Sequence, residues 1–208
     1  MGAVGHDGGM EARPAGPDDL PAVATTLAGA FDADPAWTWV FPDPARRPDQ
    51  LRAFWLLLLE GAVDHDWVWM TPDAGAATLW IPPGEPELGP RQAARVDGLW
   101  EELLGPDVGR STLLGEAFEE AHPTGPEHYY LSLFGTRPDL RGQGLGMALL
   151  ADNLARIDAA GMPAFLESTN PANLERYRSV GFSDRSTFTL GDDGPVVTTM
   201  WRDPHPRP

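Results

Sequence analysis

Three glycines alternate over five positions in the stretch from Arg141 to Gly146. Glycines lack Cβ atoms, so the backbone N–H groups of such a stretch can point outward together and a ligand can approach the main chain closely. The stretch follows a predicted strand and opens a predicted helix, whose free N–H groups and positive dipole end favour an anion, usually a phosphate. The sequence therefore predicts a pyrophosphate-binding loop. The alternative is a flexible turn with incidental glycines, in a chain that has 23 of them.

Two other glycine-rich phosphate sites do not fit this stretch. A nucleoside-triphosphate loop requires the pattern G-x-x-x-x-G-K-[ST], and no lysine occurs in the window. The dinucleotide fingerprint G-x-G-x-x-G fails because Gly142, Gly144 and Gly146 are spaced by twos. Both nucleotide classes are disfavoured.

The elements that must position this loop follow from residue periodicity. Residues 128–134 are aromatic or leucine at most positions and end at glycine and proline, which predicts a strand. Residues 144–160 carry an apolar face at helical spacing, and Gly161 stands where a C-terminal cap is expected. Further helices are predicted at 17–31, 45–63, 92–104, 111–121 and 172–180, a hairpin at 66–71 and 76–81, and strands at 164–168, 182–190 and 196–202.

The pattern R-x-x-G-x-G, made by Arg141, Gly144 and Gly146, resembles the acetyl-CoA signature of the GCN5-related N-acetyltransferase (GNAT) family. Downstream, residues 163–168 resemble the family's fifth strand, and residues 170–182 resemble its N-x-x-x-x-x-x-Y-x-x-x-G-F segment. Within the family, these runs are most similar to puromycin N-acetyltransferase and its antibiotic-modifying or self-protecting relatives in actinomycetes. The match covers roughly 55 residues of the C-terminal half, and the N-terminal half matches only in outline.

The resemblance implies an α+β chain with the GNAT acyl-CoA N-acyltransferase fold. That fold has a central mixed, mostly antiparallel sheet of about seven strands, flanked by helices and splayed between strands 4 and 5. We expect residues 10–203 to form this single domain. A disordered leader is expected at residues 1–9 and a tail at residues 204–208.

The resemblance also implies acetyl-CoA as the cofactor. The glycine loop would hold its pyrophosphate, and the exposed backbone of the preceding strand would bind pantetheine as an added strand would. The residues predicted to contact the cofactor are Leu133, Phe134, Gly135, Arg141, Gly142, Gln143, Gly144, Leu145, Gly146, Met147, Asn170, Asn173 and Tyr177. Asn170 is also predicted to cap the following helix.

Acetyl transfer from a thioester to an amine needs a positioned donor, a deprotonated amine and, for the departing thiolate, a proton. Tyr177 matches the family tyrosine next to the CoA sulfur and is the predicted general acid; core packing is its alternative role. Glu167 is the predicted general base if burial raises its pKa, with a purely structural carboxylate as the alternative. Other candidates for the base are His128, Asp32, Asp34, His65 and Glu85, and some family members need no dedicated base.

Aromatic and acidic residues are interleaved between residues 31 and 44, where the family's loop between its first two helices often lines the acceptor pocket. An aromatic box with carboxylates suits a cationic, partly apolar acceptor, and a hydrophobic cluster beneath a long loop is the equal alternative. Tyr129 and Tyr130 alternate across the fourth strand, so only one can face the acceptor. The predicted substrate-binding residues are Phe31, Asp34, Trp37, Trp39 and Tyr130.

Composition restricts the partners. The net charge of −16, from 31 acidic and 15 basic residues, repels nucleic acid and anionic membranes, although it also fits a general bias that aids solubility. No apolar run approaches the roughly 18 residues of a membrane span, and no secretory signal begins the chain. The absence of cysteine excludes disulfides and thiolate catalysis and is compatible with the cytoplasm, the expected location. A monomer or a homodimer is expected.

Two other enzyme classes fail on their motifs. Five scattered histidines without an H-x-x-x-H pair predict no metal site, and no G-x-S-x-G elbow marks a serine hydrolase. The sequence thus predicts an acetyl-CoA-dependent N-acetyltransferase acting on a primary amine of a small molecule, antibiotic-like or derived from an amino acid. The alternatives are a non-catalytic acyl-CoA-binding regulatory module and an acetyltransferase of protein N-termini or lysines.

Overall fold

The centre of the molecule is a seven-stranded sheet, seen in a computed structural model that describes residues 12–205. Its strands are β1 (Arg13–Pro14), β2 (Val68–Met70), β3 (Ala76–Ile81), β4 (Tyr129–Thr136), β5 (Ala164–Ser168), β6 (Ser183–Thr189) and β7 (Val196–Arg202). They are ordered β1-β2-β3-β4-β5-β7-β6, and every neighbouring pair is antiparallel except β4 with β5. The predicted α+β class and mixed sheet are confirmed. The predicted leader at residues 1–9 lies outside the described residues.

Helices cover both faces of the sheet. They are α1 (Leu20–Phe31), α2 (Pro35–Val40), α3 (Arg47–Ala62), α4 (Pro90–Leu104), α5 (Gly109–Ala121), α6 (Leu145–Ala159) and α7 (Leu174–Ser179). Residues of α1 to α5 form one apolar cluster with β2 and β3, and residues of α6 form a second cluster with β5, against which α7 packs. Within the described part of the chain, none of the helices combines the length and apolar composition that a membrane span needs.

One helix was missed by the sequence prediction, which placed a loop at residues 32–44. The carboxylate of Asp34 accepts a hydrogen bond from the backbone N–H of Ala36 at 3.0 Å and a longer one from Trp37, and Pro35 occupies the first turn. A capping aspartate followed by proline is a helix-start signal, but the helix has only six residues and is too short to show a periodic apolar face.

The register between β3 and β4 shifts in the middle of the pair. Leu79 lies opposite Leu133, but the next residue, Trp80, lies opposite Leu131, so Ser132 is an extra residue on β4. Such a bulge bends the strand and re-aims the side chains around it. The bulged Ser132 lies two residues beyond Tyr130, the last residue of β4 that pairs with β5.

Helix α6 is held against the sheet at both ends. Near its start, a Cβ on Gly146 would lie 2.2 Å from Oγ1 of Thr136, so only glycine allows the helix to approach β4 this closely. Near its end, the buried guanidinium of Arg202 donates two hydrogen bonds to the carboxylate of Asp158, at 2.6 and 2.8 Å. This bidentate pair lowers the pKa of Asp158 and anchors the helix to β7.

Candidate active site

The glycine loop between β4 and α6 presents a row of main-chain donors. Gly142 and Gly144 adopt left-handed conformations, with φ of +79° and +81°, and Gly144 is the N-cap of α6. Within the described residues, none of the six N–H groups from Gly142 to Met147 donates a hydrogen bond to a backbone or side-chain acceptor. We call these six groups the cradle. Free N–H groups at the positive end of a 15-residue helix form a site for an anion.

The cradle opens into a cavity of about 490 Å³ between α1, β4, α6 and α7. Most of the residues predicted to contact the cofactor line it: Phe134, Gly135, Arg141, Gly142, Gly144, Leu145, Gly146, Met147, Asn170, Asn173 and Tyr177. Leu133 and Gln143 are not part of this lining, and the side chain of Leu133 is buried in the core. Their role at the cofactor stays a prediction.

The strands beside the cavity diverge as the sequence comparison implied. β4 and β5 pair at only two positions, Tyr129 with Ala164 and Tyr130 with Phe165. From Leu131 to Thr136, the edge of β4 that faces β5 has no strand partner, so its main chain is available to an extended ligand.

Tyr177 stands at the wall of this cavity. Its ring is half-buried and packs edge-on against Phe134 and Phe182, with ring centroids 6.3 and 6.0 Å apart. Burial raises the pKa of the Tyr177 phenol, and the nearby carboxylate of Asp34 raises it further. The phenol therefore keeps its proton over the physiological pH range, which suits a proton donor.

The two asparagines in the cavity wall have local partners. Asn170 accepts a hydrogen bond from the N–H of Ala172 at 3.0 Å, so the predicted cap is present, on a short 3-10 turn before α7. Asn173 Oδ1 accepts from Nη1 of Arg176 at 2.7 Å. Arg176 also lines the cavity and was missed by the sequence prediction. Its position on the helix of Tyr177, one residue earlier, was the available signal.

Glu167 lies on β5, on the face turned toward α5. Its side chain is 1% exposed, and neither carboxylate oxygen has a hydrogen-bond partner within residues 12–205. The closest cation-forming group is His122, whose Nδ1 lies 3.7 Å from Oε1. Burial raises the pKa of Glu167, and the histidine opposes that rise. A buried carboxyl with raised pKa has the property required of a base at neutral pH.

A second carboxylate, the half-buried Glu87, faces the same place from the loop after β3. The hydroxyl of the bulged Ser132 donates to it. Burial raises the pKa of Glu87, and the like charge of Glu167 adds to this. Tyr130 lies beside the two carboxylates. Burial, and then the charges of Glu167 and Glu87, raise the pKa of the Tyr130 phenol well above its usual value. We call Glu87, Glu167, Tyr130, Ser132 and His122 the carboxylate cluster.

The residues predicted to bind substrate are divided by the structure. Tyr130 belongs to the carboxylate cluster, while Tyr129 packs with the core on the opposite face, as strand alternation predicts. Asp34 borders the cavity, but its oxygens cap α2 and accept from Thr169. Trp37 is buried in the core against Trp55.

The other two aromatic residues predicted to bind substrate lie away from the cavity. Phe31 packs on Trp55, and Trp39 donates to Asp193. Together with Trp37, they make the hydrophobic cluster that was the alternative interpretation of this stretch, and none lines the cavity.

The remaining candidates for the base lie away from the carboxylate cluster, except His128. His65 stacks on Trp67 and Glu85 is exposed on its loop. Asp32 keeps one buried oxygen without a partner among the described residues. In residues 12–205, no group of three or more histidine, aspartate or glutamate side chains is arranged to hold a metal ion.

Comparison with solved structures settles the fold. A protein of Corynebacterium glutamicum described as histone acetyltransferase HPA2 and related acetyltransferase aligns with a TM-score of 0.68 and 24% identity, over 96% of this chain and 98% of its own. This is the GNAT acetyltransferase fold.

Two insect enzymes share it. The Drosophila melanogaster polyamine N-acetyltransferase aligns at TM-score 0.61 and 15% identity over 93% of this chain and 99% of its own. Arylalkylamine N-acetyltransferase 2 of Aedes aegypti aligns at 0.59 and 12% over 94% and 99%. No protein-family model matches the sequence. These alignments establish the GNAT fold. At identities this low, the activity and the substrate are inferred from the residues of the site.

Proposed function

We propose that this chain is an acetyl-CoA-dependent N-acetyltransferase that modifies a primary amine of a small molecule. The observation that carries the proposal is the cradle, six free N–H groups at the start of α6 beside the open edge of β4. The same cavity holds a tyrosine that keeps its proton, and a buried carboxylate lies on the neighbouring strand. The GNAT fold supports the interpretation of these features as parts of one site.

The residues of the cavity fit coenzyme A. Nothing lies within 4 Å of the Cβ positions of Gly142 and Gly144, so the cradle is open to a diphosphate. Arg176 adds a positive charge at the same wall, and the open edge of β4 offers donors and acceptors to the amides of pantetheine. When bound, acetyl-CoA supplies the activated acetyl group.

The protein residues then divide the proton transfers. Glu167 takes a proton from the ammonium group of the acceptor, which leaves the neutral amine as nucleophile. Tyr177 donates its proton to the departing sulfur. A thiol in water is more acidic than this buried phenol, but a poorly solvated cavity disfavours the thiolate and so favours its protonation by the adjacent phenol. Glu167 lies two residues beyond the last pair of β4 and β5, whereas Tyr177 on α7 packs on Phe134, farther along β4.

The acceptor is inferred from charge. The carboxylates of Glu87 and Glu167 and a net charge of −16 favour a cationic ligand, and an amine is a cation at neutral pH. The two insect enzymes are named for polyamine and arylalkylamine substrates. The resemblance of residues 163–182 to puromycin N-acetyltransferase adds amine antibiotics, and with them a role in resistance, self-protection or biosynthetic tailoring.

A thiol-release assay tests the proposal. Acetyl-CoA would be supplied with a panel that holds puromycin, agmatine, polyamines, arylalkylamines and peptides with free N-termini or lysines. We expect release with at least one small amine and its loss in Glu167→Gln, while Gly98→Glu, on the exposed face of α4, keeps it. CoA binding without release on any amine would make the chain a non-catalytic acyl-CoA-binding module. Release with peptides alone would make it a protein acetyltransferase.

A further inference from the structure

Two histidines form a contact that leads from the buried carboxylate Glu167 toward the surface. His122 follows the last residue of α5, and His128 precedes the first residue of β4. Their Nε2 atoms lie 3.2 Å apart, and both rings pack edge-on with Phe165 on β5, with ring centroids 5.1 and 5.5 Å away. The side chain of His128 is buried, whereas that of His122 is 37% exposed.

The hydrogen-bond partners fix which nitrogen of each ring carries a proton. Nδ1 of His128 lies 2.8 Å from the carbonyl oxygen of Pro126. A carbonyl only accepts, so Nδ1 of His128 must be the protonated nitrogen. Burial lowers the pKa of His128, which keeps the ring neutral and leaves Nε2 with a lone pair. Nε2 of His122 must therefore donate to it, and the free lone pair of a neutral His122 is on Nδ1.

That lone pair faces Glu167. Nδ1 of His122 lies 3.7 Å from Oε1. Neither oxygen of Glu167 has a partner within hydrogen-bond distance among the described residues, and the hydroxyl of Tyr130 is the other polar group beside it. An ionised Glu167 and an unprotonated Nδ1 would repel each other, so one proton resides on one of the two groups. His128 thus fixes the tautomer of His122 in which Nδ1 can receive a proton from the carboxyl of Glu167.

We propose that His122 is the proton acceptor for Glu167, and that His128 is the positioning residue that fixes its tautomer. This inference rests on the proposed function and deepens it. Glu167 removes H⁺ from the acceptor ammonium and becomes a neutral carboxylic acid. It then passes H⁺ to Nδ1 of His122 when the two atoms come within hydrogen-bond range. The carboxylate is regenerated, and the hydrated imidazolium returns the proton to water.

Other charged groups face this line and set its balance. Glu87 and Tyr130 lie on the side of Glu167, and Glu87 and His122 interact through their charges. Arg185 on β6 lies on the side of His128, where it lowers the pKa of that ring together with burial. A proton on Nε2 of His128 is thus disfavoured, which agrees with the assigned direction.

Nuclear magnetic resonance of the folded wild type provides a test that needs no turnover. Nitrogen-15 shifts at neutral pH should show His128 as the neutral Nδ1–H tautomer and His122 with Nε2 protonated. A His128 that is an imidazolium, or that carries its proton on Nε2, would overturn the relay. Carbon-13 shifts of the Glu167 carboxyl, assigned by comparison with Glu167→Gln, should show a pKa that rises when His122 is changed to Gln.

Kinetics with the best amine of the panel provide the second test. In His122→Gln, we expect the ascending limb of kcat/KM against pH to move up by about one pH unit, because Glu167 loses its cationic partner. His128→Phe, which keeps a packed ring without an acceptor, should move it in the same direction by less. His128→Gln keeps an oxygen that accepts from His122 and should restore the wild-type limb.

The control is His205→Gln, which changes an exposed residue of the same type beyond the end of β7 and should leave the limb in place. An unmoved limb in His122→Gln, or identical profiles for His128→Phe and His128→Gln, would overturn the relay. A wild type with the expected tautomers and no turnover would overturn the proposed function and with it the direction of proton flow. A wild type with turnover and the wrong tautomers would overturn the relay alone.

Discussion

The cofactor side and the acceptor side of the candidate site are built from different groups. The cradle uses main-chain N–H groups from six consecutive residues, held by two left-handed glycines and the start of one helix. The carboxylate cluster uses side chains from β4, β5, the end of α5 and the loop after β3. The first is local in sequence and the second is assembled from distant segments. Damage to the first should therefore act on binding, and damage to the second on proton transfer and stability.

The largest effect is expected at the cradle. Gly144→Glu places a side chain at φ +81° and a negative charge at the anion site, so we expect the affinity for CoA to fall at least about 100-fold in calorimetric titration. Gly98→Glu adds the same charge to an exposed helix in open space and should bind CoA normally. Wild-type affinity in a folded Gly144→Glu protein would show that the diphosphate binds elsewhere.

Tyr177 should separate binding from turnover. Tyr177→Phe keeps the ring packed against Phe134 and Phe182 and removes only the proton, so kcat should fall by about 100-fold while the Kd for CoA changes less than about threefold. Tyr129→Phe, on a ring outside the cavity, is the matched control. Equal kcat in the two variants would leave Tyr177 with a packing role.

On the acceptor side, the ionised form of Glu167 that acts as a base should lower the stability of the fold. Burial raises the pKa of Glu167 above its unfolded value, so the wild type loses stability as pH rises through the folded pKa. Glutamine cannot ionise. Glu167→Gln should therefore match the wild type near pH 4 and exceed it by roughly 1–3 kcal/mol at pH 8, in urea unfolding at both values. A wild type that is the more stable protein at pH 8 would mean that the carboxylate has a strong partner in the fold.

The smallest effect is expected at the exposed edge of the cofactor side. Arg176→Ala removes one solvated cation from the cavity wall, so the Kd for CoA should rise about 3- to 10-fold, and the difference should shrink at high salt. Arg95→Ala on α4 removes an equally exposed charge far from the cavity and serves as the control. A salt-independent loss would point to altered packing of α7 in place of a lost charge.

The same contrast explains what the sequence could predict. The sheet, the flanking helices and the glycine loop depend on patterns a few residues long, and all are present. Helix α2 was missed because six residues are too few for a periodic signal, although Asp34 and Pro35 marked its start. Glu87 and His122 were missed because no local pattern connects a proline-rich loop or a helix end with β5. The bulge at Ser132 that brings Glu87 into the cluster has no sequence pattern of its own.

The aromatic stretch left two interpretations open for a related reason, and its role in binding substrate stays a prediction. Tryptophans and phenylalanines beside aspartates suit a cation pocket and a hydrophobic core equally well, and only the packing distinguishes the two. Trp37 and Phe31 contact Trp55 in the interior, and Asp34 serves as a helix cap. Composition alone does not contain that distinction.

Strand β4 carries an evolutionary consequence. It offers its peptide groups along one edge and its side chains across one face, and peptide groups are the same whatever residue is present. Under the proposed function, amino-acid replacements on the face of Tyr130 and Ser132 would alter which amine is accepted, while the edge would continue to bind the same acyl donor. After gene duplication, one copy of this chain could acquire a new acceptor specificity while it keeps its binding site for the donor.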